Sequence, residues 1–76
     1  MPEFHGQRYW YPTPSHGLKQ IGVCRVLGGA WAVCWINHHG SRVRVRSSNL
    51  PVLTDPDAVQ RRLDEWAVGR KLREVA

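Results

Sequence analysis

Charged and apolar side chains alternate at every position of Arg42-Val43-Arg44-Val45-Arg46. In an extended strand, residues two apart share a face, so Val43 and Val45 enter a core and the three arginines line the opposite side. The pattern demands a sheet with one covered face and one uncovered face. No acid lies between Glu3 and Asp55 to neutralise the row locally. Unpaired guanidinium groups bind phosphate or carboxylate readily.

The residues before this run set how it pairs. Ala30 to Asn37 reads as a strand with Trp31, Val33 and Trp35 on one face and Ala32, Cys34 and Ile36 on the other. The turn His38-His39-Gly40 suits a type I turn with a bulge, where Gly40 takes a left-handed conformation. Asn37 then opposes Ser41, and Trp35 opposes Val43. A two-residue loop would set Trp35 against Arg42 and Trp31 against Arg46, because a one-residue slip exchanges the faces. The first register collects Ile21, Val23, Trp31, Val33, Trp35, Val43 and Val45 on one face, and it is the one expected.

Upstream, residues 20–27 read as a strand with Ile21, Val23 and Leu27 on one face, joined to the next by the turn at Gly28-Gly29. With Ser41 to Ser47 this makes an antiparallel meander over residues 20–47. Residues 1–19 read as an irregular arm broken by Pro12, Pro14 and Gly17, with a short strand at Gln7 to Tyr11. Its aromatics Tyr9, Trp10 and Tyr11 are expected to anchor it on the domain or on a partner. Downstream, Asp55 is a good N-cap, Pro56 suits the first helical position, and Asp57 favours the positive helix end. Val59, Leu63, Trp66 and Ala67 form one apolar stripe of a helix over residues 55–74, which should lie on the Trp31/Val33/Trp35 face. Asp64 is placed to meet Gln60, and Glu65 to meet Arg61. Val68, Leu72 and Val75 fall on another side of that helix. They are a candidate self-association stripe unless the helix breaks near Gly69. The expected fold is α+β: a three- to four-stranded antiparallel meander sheet with one C-terminal helix packed on one face, in a single small domain over residues 1–76.

A chain of 76 residues buries only roughly 60% of its unfolded surface, which leaves it marginal alone and favours a homodimer. The Trp31–Trp35 pair is therefore expected in the core, not as a stacking platform. No apolar run is long enough for a transmembrane helix, and Met1-Pro2-Glu3-Phe4-His5 lacks the regions of a signal peptide. These features point to the cytoplasm, where Cys24 and Cys34 would be buried thiols. A disulfide would require them to face each other across a hairpin.

Charge is unevenly placed. From Asp55 onward, Arg61, Arg62, Arg70, Lys71 and Arg73 balance Asp55, Asp57, Asp64, Glu65 and Glu74, so the net charge of +5 belongs to the first 54 residues. Such asymmetry points to nucleic acid or an acidic protein surface. The candidate partner-binding residues are Arg42, Arg44 and Arg46, helped by Arg25 and Lys19, with His38 and His39 at the rim.

Catalysis finds no support. Ser47 and Ser48 lack a nucleophile-elbow glycine pattern, the aspartates are explained by helix capping, and Gly28-Gly29 is a turn, not a phosphate loop. His38 and His39, taken with Cys24, Cys34, His5 or His16, match no zinc spacing. No cofactor and no small-molecule substrate are expected. The leading expectation is a non-enzymatic module whose basic sheet face binds nucleic-acid backbone. The alternative is a small inhibitor or adaptor of the phage or mobile-element type, docking on an acidic protein surface such as host defence or transcription machinery.

Overall fold

The computed structural model describes residues 4–76. Glu3 and the first two residues, which enter the charge and signal-peptide readings, lie outside the described residues. The sheet has four strands in meander order: β1 (His5–Thr13), β2 (Gly17–Arg25), β3 (Trp31–Ile36) and β4 (Arg42–Arg44), all antiparallel. The C-terminal tail adds a short fifth strand against the outer edge of β1. There the Trp10 N–H donates to the Arg73 carbonyl at 2.8 Å and the Val75 N–H to the Arg8 carbonyl at 3.0 Å. The helix α1 (Pro56–Arg70) closes one face.

The expected register of the second hairpin is the one observed. Trp35 pairs with Val43, Cys34 with Arg44 and Ile36 with Arg42. Gly40 holds a φ of 81°, which a residue with a Cβ seldom adopts. Asn37 fixes the turn from the other side, its Oδ1 accepting the N–H groups of His39 at 3.0 Å and Ser41 at 2.9 Å. The strand is shorter than the alternation suggests, but pairing runs on to Val45, whose N–H donates to the Val33 carbonyl at 2.8 Å.

The core lies between sheet and helix. It holds Tyr9, Ile21, Val23, Val33, Trp35, Val45 and Leu50 against Val59, Leu63, Trp66 and Ala67. Trp31, Val43, Tyr11 and Leu72 pack at its margin. The helix starts as the sequence indicates: the Asp55 carboxylate accepts the Asp57 N–H at 3.0 Å, and Pro56 is the first helical residue. Asp57 receives a 2.7 Å hydrogen bond from His5 Nε2, tying the start of β1 to the start of the helix. Gln60 donates to Asp64 at 3.0 Å as expected. Arg61 and Glu65 are both exposed, and among the described residues the one ion pair joins His5 and Asp57.

Three expectations change. The strand expected over residues 20–27 spans Gly17–Arg25, and Leu27, expected on the core face, lies in the turn that follows and is exposed, because the chain leaves the sheet before reaching it. The irregular arm is a nine-residue strand. Pro12 is accommodated because it lies near the strand's end, and the turn at Thr13 to Gly17 is held by Thr13 Oγ1 donating to the Gly17 carbonyl at 2.7 Å. Alternation then sends Tyr9 into the core and Tyr11 to its margin, so these two anchor the segment on the domain. Tyr9 Oη donates to Asp64 Oδ1 at 2.7 Å, and burial together with that bond pushes its phenol well above the ordinary range.

The helix, for its part, runs through Gly69 and ends at Arg70. Lys71 turns left-handed with φ 57°, its N–H donating to the Val68 carbonyl, while the Leu72 N–H reaches the Ala67 carbonyl at 3.0 Å. This is a Schellman cap, and it folds Leu72 back onto the core. Val75 belongs to the tail strand, which leaves Val68 alone exposed on the helix. The candidate self-association stripe of Val68, Leu72 and Val75 is therefore not assembled.

Trp35 is 6% exposed and central to the larger core. Trp35→Ala should cost about 3–5 kcal/mol, read as a fall in the urea midpoint. The left-handed Lys71 makes the opposite prediction: Lys71→Gly should stabilise by about 1 kcal/mol, because glycine enters that conformation without the Cβ penalty. A raised urea midpoint checks it.

Candidate functional site

The face of the sheet opposite the helix carries the arginine row. Since Val43 and Val45 point into the core, Arg42 and Arg44 stand on the uncovered face beside Ile36 and Cys34, and the exposed Arg46 follows past the strand's end. None of the three has a carboxylate within 4 Å among the described residues. Arg44 lies low, with its Nε buried and lacking an acceptor. A buried donor without a partner costs about 1–3 kcal/mol.

Beneath these arginines lies a second, smaller core of Cys24, Ala32 and Cys34, flanked by Phe4, Val26 and Ile36. The cysteines occupy neighbouring strands and are free thiols with no exposure. A hydrogen bond to Cys34 and burial push Cys24 far up. The same bond, with Arg44 and Arg42 alongside, holds Cys34 below its ordinary value against the opposing effect of burial.

Arg42 and Arg44 also line a broad groove of about 1140 Å³. Arg25 contributes from the end of β2, Leu27 from the β2–β3 turn, Gly40 and Ser41 from the β3–β4 turn, and Val52 from the loop before the helix. Leu27 is 99% exposed. Arg25 lines the same groove, but its register partner is Trp31, on the helix side of the sheet, and its guanidinium lies 5.7 Å from the Trp31 ring centroid. Lys19 does not join the row either. Lys19 pairs with Tyr11, on the helix side of the sheet, with its Nζ 5.9 Å from the Trp35 ring centroid. His38 and His39 sit exposed in the turn beside Gly40, their ring centroids 3.9 Å apart, at the end of the groove but not in it.

Three further residues stand on the uncovered face: Trp10, expected as an anchor on the domain or on a partner, and Phe4 and Arg8, which escape the sequence reading as binding residues. Trp10 pairs with Gln20 and points away from its neighbours Tyr9 and Tyr11, which face the helix. Arg8 donates to Gln20 Oε1 at 2.7 Å. Phe4 lies over Gly22, where an added Cβ would come within 2.5 Å of its ring. Period-two alternation carried through Gln7 to Tyr11 would have put Arg8 and Trp10 on one face. Nothing local marks Phe4, whose place depends on the missing side chain at Gly22.

A second hollow of about 380 Å³ lies at the far end of the helix between Asn49, Arg62, Glu65 and Trp66, with the Arg70 guanidinium 4.5 Å from the Trp66 ring. Its charges are mixed, and Arg70 already occupies the aromatic face. Ser15 Oγ and His16 Nδ1 are 2.8 Å apart, but they are chain neighbours in an exposed turn and the imidazole faces Trp35 at 5.0 Å. No acid among the described residues bonds to His16, so the pair lacks the third group that orients a catalytic base.

No family model matches this chain, and neither a curated protein nor a solved structure shows significant similarity to it. No helix of the described residues is long and apolar enough to cross a membrane.

Proposed function

We propose that this protein is a small non-enzymatic module that binds nucleic-acid backbone through its uncovered, arginine-bearing sheet face. One observation carries the reading: Arg42 and Arg44 share that face and the exposed Arg46 follows them, all three without an acidic partner among the described residues. Residues two apart in a strand are separated by about 6.5 Å, so the row presents guanidinium groups in a regular line. Such groups make charge-assisted bonds to phosphate and release counterions on binding. Arg25 borders the same groove from the end of β2, with its guanidinium beside the Trp31 ring. The helix packs on the other side of the sheet and inserts nothing beside the row, so recognition is weakly sequence-specific. Free thiols at Cys24 and Cys34 suit a reducing, cytoplasmic setting.

A second reading rests on Leu27 and Val52, which are exposed in the same groove. Apolar residues beside arginines also suit an acidic protein surface, as a phage-type inhibitor or adaptor would use. Pull-down with and without nuclease separates the readings: loss of the bound partner on nuclease treatment belongs to the first, and a nuclease-resistant protein partner to the second.

The row is exposed or half-buried, so Arg42, Arg44 and Arg46 changed together to Glu should leave the far-ultraviolet circular dichroism unchanged. The triple variant should lose nucleic-acid binding. Neutralising the three with Gln should lower the slope of log affinity against log salt by roughly 2–3. An unfolded Glu variant would show that the row is structural. A folded one with unchanged affinity would place binding elsewhere.

A further inference from the structure

The uncovered face carries more than charge. Gly22 pairs with Cys34, and Cys34 with Arg44, so these three form one row across the sheet. Phe4 covers the glycine end of that row, and the Arg8 stem lies beside it, 3.1 Å from the position of a Gly22 Cβ. Trp10, half-buried and a member of neither core cluster, stands next to them opposite Gln20. Two partly exposed aromatic rings thus share a face with Arg8, Arg42 and Arg44. Strands lie about 4.8 Å apart, which places the Phe4 site roughly 10 Å from Arg44 across the sheet. An arginine side chain spans much of that gap.

We infer that the ligand of this face is single-stranded nucleic acid, with bases stacking on Phe4 and Trp10 while phosphates run along Arg42 and Arg44. The inference rests on the proposed backbone binding and goes one step further. A duplex keeps its bases stacked inside and offers a flat protein surface only its phosphates, so the two rings would find nothing to stack on. An unpaired strand exposes base faces, and every base has one, which makes such binding tolerant of sequence. The rings lie near β1 and β2 with Arg8 beside them, and Arg42 and Arg44 lie across the face on β4. That division matches the separation of base and phosphate within a nucleotide. The second aromatic group, Trp31 and Trp35, takes no part, because it faces the helix.

Fluorescence anisotropy with a labelled oligothymidylate of about 12 nucleotides, a length within the span of known single-strand sites, tests this against a duplex of equal length at the same salt. The single strand should bind at least about 10-fold tighter, and Trp10→Leu and Phe4→Leu should each weaken it roughly 10-fold while leaving duplex binding unchanged. Thermal melting confirms that the variants fold. Should Phe4→Leu fail to fold, Trp10→Leu decides alone, because Trp10 lies outside both buried clusters. Equal binding of single strand and duplex, with both aromatic variants unaffected, overturns the single-strand inference and leaves backbone binding standing. No binding of either oligonucleotide overturns both.

Discussion

Everything on the uncovered face depends on the register of one hairpin. The turn from Asn37 to Ser41 contains one residue, Gly40, that must be left-handed, and one side chain, Asn37, that holds two turn amides. Together they set Trp35 opposite Val43. A slip by one residue would turn the arginines toward the helix and the valines toward water. The burial of unpaired guanidinium groups makes that alternative costly by several kcal/mol per charge. The row is outside because the core could not accept it, and it is uniform because the strand alternates.

The sheet is then asymmetric by construction. A single helix of fifteen residues covers one face. It does so with a compact stripe of Val59, Leu63, Trp66 and Ala67, which takes up the large side chains of the meander. The other face must be sealed with less, and it is: small residues at Cys24, Ala32 and Cys34, Phe4 laid over Gly22, and the stems of Arg8 and Arg44 beside them. Long basic side chains serve here both as cover for apolar surface and as exposed charge. One consequence is the orphaned Nε of Arg44, whose stem is held down while its head carries a charge with no acidic partner.

Much of this was legible in the sequence because periodicity and turn chemistry are local. The alternation at Arg42 to Arg46, the glycine at position 40 and the Asp55-Pro56 start each determine structure within a few residues. The failures share the opposite character. Tyr9-Trp10-Tyr11 is aromatic at every position and hides which face is which, so of β1 the sequence yields only the short strand at Gln7 to Tyr11, and its full length from His5 to Thr13 shows only in its pairing with β2. Gly69 is the natural helix stop by propensity, yet Lys71 takes the left-handed position because that turns Leu72 onto the core. The apparent stripe of Val68, Leu72 and Val75 assumed a helix that had already ended. Of the site, the exposed side of the arginine row could be read directly. Lys19 could not be placed on the correct side without the β1–β2 pairing, and Phe4 could not be placed without Gly22 beneath it.

The basic residues of the helix, Arg61, Arg62 and Arg70, are also exposed and lie on the other side of the molecule. This makes the central claim one about location, and amide chemical-shift mapping by nuclear magnetic resonance with added oligothymidylate tests it most directly. The shifts should concentrate at Phe4, Arg8, Trp10, Gly22 and Arg42 to Arg46, with the amides of Arg61, Arg62 and Arg70 nearly still. Shifts centred on those three helical arginines, with the uncovered sheet face unmoved, would contradict it.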